Sequence, residues 1–231
     1  MPLLTKAVAS TDLAAAFFCA PNTFSRWRRK ILAGQQNVSK PTEHQKSVIN
    51  GPSQATARMM QHISTTTAHI GPGDESTLRE FLYHAIFVPD GEKPLERNVL
   101  ELPEISRYMN DWGRDGDFGL KVLQNSQAIG AIWCRFFTAT KPGYGYVSGE
   151  IPELTMSILP EYRNRGLGMR LYRDFEELLI RQQIRGLSLS VDKRNPATRF
   201  YLRAGFKVIR EEKTALVMIR HISKTFPLHS L

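Results

Sequence analysis

The stretch Arg163-Asn164-Arg165-Gly166-Leu167-Gly168 constrains this chain more than any other part of it. About 30 residues later comes a second cluster, Asn195-Pro196-Ala197, which leads to Tyr201 and Gly205-Phe206. Glycines at the head of an apolar-striped helix give a tight turn. The first N–H groups of that helix have no intrahelical acceptor. Bare N–H groups and the positive end of the helix dipole together form an anion site. The stretch lacks GK[ST], so it is not a Walker loop. It also lacks the first glycine of GxGxxG, so it is not a Rossmann fingerprint. Taken alone it is a weak signal, since a glycine-rich helix start is more often just a tight loop. Asn195-Pro196-Ala197 likewise has a complete explanation as a helix start, with Asn as N-cap and Pro in the first turn.

The order of elements narrows the fold further. Ile63 to Ile70 reads as a strand ended by Gly71-Pro72-Gly73. Asp74 to Val88 reads as a helix with Asp74 as cap and Leu78, Phe81, Leu82, Ala85 and Ile86 on one face. A second helix is expected over Pro103 to Trp112, with Ile105, Tyr108, Met109 and Trp112 on one side and Gly113 after it. A hairpin follows, with Phe118 to Val122 and Ile129 to Phe137 as strands and Asn125-Ser126 as the turn. Leu154 to Leu159 is a strand, Gly166 to Gln183 a helix, Leu187 to Val191 a strand and Asn195 to Ala204 a helix. Phe206 to Arg210 and Ala215 to His221 close the pattern as strands. The order β-α-α-β-β-β-α-β-α-β-β mingles both element types within one domain. The fold class is therefore α+β, with a single mixed, mostly antiparallel sheet flanked by helices.

Residues 1–58 differ in kind. They are rich in Ser, Thr, Ala, Asn and Gln and hold one short candidate helix, Thr11 to Ala20. They read as a basic, disordered extension. Three origins stay open: a flexible tail, a transit-like targeting segment, or a stretch upstream of a native start at Met59 or Met60. The flexible and non-native origins are favoured over targeting. One domain is expected over 60–223, followed by a tail over 224–231. No apolar run reaches the ~20 residues of a membrane span, so no membrane partner is expected. Two cysteines, Cys19 and Cys134, make neither a disulfide framework nor a metal spacing, and no metal is expected. A cytoplasmic location follows as the expectation.

Charge is unevenly spread. Residues 1–58 carry eight Lys/Arg against two acids, residues 74–117 five against eleven, and residues 161–213 thirteen against seven. A basic half facing a phosphate-rich ligand and an acidic half facing a cation would produce this split, as would ordinary solvated surface. The Arg26-Trp27-Arg28-Arg29-Lys30 run has no accompanying recognition motif, so nucleic acid is not an expected partner.

The two clusters, in this order and spacing, resemble the acyl-CoA site of the GNAT N-acetyltransferase superfamily. The resemblance covers about residues 62–221. It implies transfer of an acetyl group from acetyl-CoA, as co-substrate, to an amine acceptor in a ternary complex. By the same resemblance, N–H groups between Arg165 and Met169, in the run Arg163, Arg165, Gly166, Leu167, Gly168 and Met169, would hold the two phosphates. Ile158 and Leu159 would offer backbone groups to the pantetheine arm and the oxyanion. Asn195 would bond the cofactor arm, and Tyr201 would lie near the sulfur and protonate the departing thiolate. A carboxylate at the start of the fourth strand would be the general base; Glu153 holds that place and Glu150 lies three residues earlier. Both also read as exposed loop acids. His84, His69 and His221 read as structural, and Trp112-Gly113-Arg114 as either an acceptor-pocket wall or a helix end. The acidic stretch hints at a cationic acceptor, either a small amine or a protein amine. A non-catalytic acyl-CoA-binding module with the same fold stands as the alternative, and a homodimer stays open.

Overall fold

The computed structural model describes residues 64–222. The expected extension over 1–58, its short helix, the alternative starts at Met59 and Met60, Ile63 and the tail over 224–231 lie outside the described residues. Seven strands form one sheet: β1 (Thr65–His69), β2 (Phe118–Gln124), β3 (Gln127–Arg135), β4 (Glu153–Ile158), β5 (Gly186–Asp192), β6 (Lys207–Glu211) and β7 (Ala215–His221). The helices are α1 (Glu75–Ala85), α2 (Pro103–Ser106), α3 (Leu167–Arg181) and α4 (Ala197–Arg203), in the expected order along the chain. Across the sheet the strands run β1-β2-β3-β4-β5-β7-β6. Every neighbouring pair is antiparallel except β4 and β5, which are parallel.

Local chemistry explains most boundaries. Asn125 and Ser126 both take left-handed dihedrals (φ 49 and 65), which match the twist of the strands they join. The apolar stripe of α1 is buried as its spacing requires: Leu78, Phe81, Leu82 and Ala85 line the core, and Ile86 joins them. Leu171, Phe175 and Leu179 do the same for α3, with Leu167 and Leu178 packed partly buried beside them. Each such side chain contributes about 1.5–3 kcal/mol by leaving water. Asp74 departs from its expected role. Its carboxylate accepts from Gly71 N–H at 2.8 Å and pairs with Lys121, and no side chain caps α1.

The expected helix over Pro103 to Trp112 is cut short: α2 stops at Ser106 and turns follow to Asp111. Side chains from β3 claim the carbonyls that a longer helix would use. Arg135 Nη1 donates to Arg107 O and Asn110 O at 2.8 and 2.7 Å, and Trp133 Nε1 donates to Tyr108 O at 2.9 Å. The apolar face survives this unwinding, because Ile105, Tyr108, Met109 and Trp112 are all buried. A short 3-10 helix over Arg97–Glu101, absent from the sequence expectation, precedes α2.

The sheet separates two layers. On β4, Ser157 Oγ donates to Phe81 O of α1 at 2.7 Å, so the face carrying Glu153, Thr155 and Ser157 looks towards α1. Met156 lies on the other face, against Gly168 at the head of α3.

Candidate active site

The sheet is open at its middle. β4 and β5 share one register pair, Glu153 with Ser188, and diverge beyond it towards the end of β4. The N–H of Leu159 donates to Ile129 O at 3.0 Å, and its carbonyl accepts from Tyr162 N–H at 2.9 Å. Antiparallel pairing alternates the direction of backbone groups. The N–H and C=O groups of Ile158 and Met156 are therefore turned away from β3 and towards the opening. Of the two backbone positions read from sequence, Ile158 borders the opening, and Leu159 has both groups engaged inside the protein. Met156 was missed, and strand parity was the signal that could have found it.

The glycine loop lies at the wide end of this opening. Asn164 and Gly166 both have positive φ (59 and 78), and Gly166 is the residue before the first helical turn of α3. The first bond of the helix runs from Arg170 N–H to Gly166 O at 3.2 Å, and no side chain caps it. Among the described residues, the N–H groups of Leu167, Gly168 and Met169 therefore have no acceptor. Arg163 turns back, its Nε donating to Ile158 O at 2.8 Å, and Arg165 lies 5.7 Å over the Tyr162 ring. Both guanidinium groups thus border the loop and tie it to its flanks.

At the narrow end stands Glu153. It is 2% exposed, so the reading of it as a surface loop acid does not hold. Oε1 accepts two hydrogen bonds, from Tyr108 OH and from Gly145 N–H, each at 2.7 Å. Oε2 is buried with no hydrogen-bond partner. Burial pushes the carboxyl up to about 7, against the smaller opposing pull of the Tyr108 and Gly145 bonds and the Arg107 charge. The segment between β3 and β4 forms a strap over it. A side chain at Gly143 would overlap Oε2, and one at Gly145 would overlap the β5 backbone at Leu189 and Ser190, so both positions need glycine. Tyr108, Gly143 and Gly145 were not picked out by sequence reasoning, because each acts through a contact distant along the chain. Glu150, by contrast, is exposed.

On α4, Tyr201 is buried, with its ring edge-on to Phe200 and Phe206 at 5.3 and 5.6 Å. Burial alone pushes its phenol up, so it stays protonated across the neutral range. Asn195 accepts from Ala197 N–H through Oδ1 at 2.9 Å. Its side chain therefore does the capping work its type suggests, and its amide nitrogen makes no hydrogen bond among the described residues.

Five of the eleven acids of the stretch are in ion pairs. Asp74 pairs with Lys121, Glu80 with Arg97, Glu101 with Arg79, Asp111 with Arg114, and Asp117 with Arg135. Glu75, Asp90, Glu96, Glu101, Asp111 and Asp115 are exposed, so the stretch also presents an acidic surface to solvent. His84 bonds Glu80 at 3.0 Å, and Trp112 donates to Ile70 O at 3.2 Å; both have structural duties. Among the described residues no cluster of His, Cys, Asp and Glu could hold a metal ion, and no helix is long and apolar enough to cross a membrane.

The site is thus a seven-stranded α+β sheet that parts at β4 and β5, with a glycine turn of bare N–H groups at the parting. The family model described as the Acetyltransferase (GNAT) family matches residues 83–206. The chain belongs to the GNAT acetyltransferase family. Among solved structures, the GNAT domain of S. lividans PAT is similar at a TM-score of 0.50 and 15% identity, over 68% of this chain and 90% of that one. The PaiA N-acetyltransferase of Thermoplasma acidophilum, solved in complex with coenzyme A, has a TM-score of 0.49 and 21% identity over 68% and 99%. The ribosomal-protein-S18-alanine N-acetyltransferase of Escherichia coli has a TM-score of 0.49 and 15% identity over 73% and 100%. No curated protein sequence matches the chain.

Proposed function

We propose that the chain transfers an acetyl group from acetyl-CoA to an amine, by direct attack in a ternary complex. The carrying observation is the opening between β4 and β5, with unsatisfied N–H groups at its wide end and a buried carboxyl near neutrality at its narrow end. The N–H groups of Leu167, Gly168 and Met169, with Arg163 and Arg165 at the rim, suit the diphosphate of the co-substrate. The Ile158 N–H suits the pantetheine arm, in the manner of an added strand, and the developing oxyanion, while the Ile158 carbonyl is held by Arg163. Asn195 retains a donor for the arm. Glu153 takes the proton that the ammonium must lose, directly or through water. The amine then attacks the thioester carbonyl, the carbon–sulfur bond breaks, and Tyr201 gives its proton to the leaving thiolate.

Two outcomes test the parts. Tyr201→Phe lowers kcat by roughly 10²-fold or more while the calorimetric Kd for CoA stays within about twofold, since the hydroxyl acts on the thiolate and not on the bound ground state. Equal loss in both, or in neither, argues against that role. Gly166→Val forces a β-branched residue into the left-handed region, which costs on the order of 1–2 kcal/mol. It raises the Kd for CoA about tenfold or more; unchanged affinity would remove the phosphate assignment. The reading as a whole is tested by acetyl-CoA consumption over a panel of polyamines, aminoglycosides and peptides with free N-termini or lysines. Turnover with one class identifies the acceptor. CoA binding without turnover on any of them would make the chain a binding module.

A further inference from the structure

The Glu153 carboxylate is asymmetric, and the asymmetry is built by a residue outside both sequence clusters. Tyr108 lies just beyond α2 and is 1% exposed. Its backbone carbonyl is held by Trp133 Nε1, and its ring packs 4.9 Å from Phe137 and stacks 6.3 Å from Tyr144 at an interplanar angle of 6°. Its hydroxyl oxygen accepts from Tyr144 N–H at 2.8 Å, which orients the hydroxyl hydrogen towards Glu153 Oε1. Gly145 N–H supplies the second donor to the same oxygen. Each donated hydrogen bond lowers the proton affinity of the oxygen that receives it. Oε1 therefore carries both donors, and Oε2, roofed by Gly143, carries none.

We propose that Tyr108 is a positioning residue for the base: with Gly145 N–H it holds Glu153 by Oε1 and leaves Oε2 as the oxygen that accepts the proton. This rests on the reading of Glu153 as base. The groups that face the carboxyl are few. From the α2 side they are Tyr108 and the Arg107 guanidinium, which donates to Pro142 O at 2.7 Å and so also anchors the strap. From the strap comes Tyr144, whose phenol burial pushes up. On the same face of β4 and β5 lie the buried hydroxyls of Thr155 and Ser188, which have no hydrogen-bond partner. Tyr108 itself is pushed well up, by burial first and by the neighbouring Glu153 charge second, so it remains a donor throughout the working range. Its bond favours the carboxylate, and removing it must raise the proton affinity of Glu153.

The test is a carbon-13 NMR titration of the full chain labelled at the glutamate side-chain carboxyl, with the Glu153 signal identified by its loss in Glu153→Gln. Tyr108→Phe keeps the ring and deletes the donor. The Glu153 midpoint moves up by about one pH unit or more, the scale of a lost hydrogen bond to a charged group. Tyr108→3-fluorotyrosine, a stronger donor of the same shape, moves the midpoint down. That opposite sign cannot come from loosened packing, and it keeps the test alive if the phenylalanine variant does not fold. A midpoint unmoved by the fluorinated residue, or moved up by it, overturns the proposal. The titration needs no turnover. A fully active Glu153→Gln enzyme would therefore remove the base assignment separately, and the titration alone would still decide the role of Tyr108.

Discussion

Glu153→Gln lowers kcat/KM for amine acetylation by roughly 10²–10⁴-fold, the usual contribution of a positioned general base. Glutamine fills the same space and still accepts from Tyr108 and Gly145, but it cannot take a proton. The Kd for CoA stays near the parent value, because the phosphate loop and the Ile158 backbone are untouched. The pH profile gives a second signature. In the parent, activity falls as pH drops through about 7, where Glu153 becomes protonated; in the variant that limb disappears. Stability moves the other way. The folded carboxyl is raised above its ordinary 4.5, so the folded state binds the proton more tightly than the unfolded one. Folding then loses stability as pH rises from about 4.5, and the loss levels off above about 7. The glutamine variant lacks this loss, so its melting temperature relative to the parent increases over that window. A variant with full activity, or with no pH-dependent difference in melting, would sink the assignment.

Asp117→Ala lowers stability by about 3–5 kcal/mol, because it strands a buried guanidinium. Asp117 and Arg135 are each 3% exposed and meet through two bonds, Nε to Oδ1 at 2.8 Å and Nη2 to Oδ2 at 2.6 Å. Asp117 also accepts from the N–H groups of Gly113 and Arg114, both at 3.1 Å. The pair therefore clamps the segment after α2, which carries Tyr108, onto β3. For a domain of this size the melting temperature falls by about 10 °C. The double variant Arg135→Met with Asp117→Leu does not recover the parent value, because the carbonyl of Arg107 loses its donor and that of Asn110 keeps only Arg114. Calorimetric melting of both variants checks this; a loss under about 1 kcal/mol for the single change refutes the clamp.

What could be read from the chain and what could not divide along a physical line. Signals carried by neighbours in sequence were legible. The left-handed turn at Asn125-Ser126, the glycine at the head of α3 and the stripes of α1 and α3 all depend on residues within a few positions of one another. Long-range contacts hid the rest. The early end of α2 depends on Arg135, which lies 25 residues beyond Asn110 and takes its carbonyl. The burial of Glu153 depends on a strap that only folding brings over it. Charge counts over 74–117 do not reveal partners, and Lys121 and Arg135, which pair with two of the acids, lie outside the counted stretch.

The single rung between Glu153 and Ser188 has a further consequence. The hydrogen-bonded ladder of β1 to β4 and that of β5 to β7 are nearly independent networks, joined along the backbone at one place. Amide protons at the diverging end of β4 then exchange with solvent through local separation of the two ladders, without global unfolding. A ligand lying between them would act as the missing rungs, slowing that exchange and fusing two cooperative units into one.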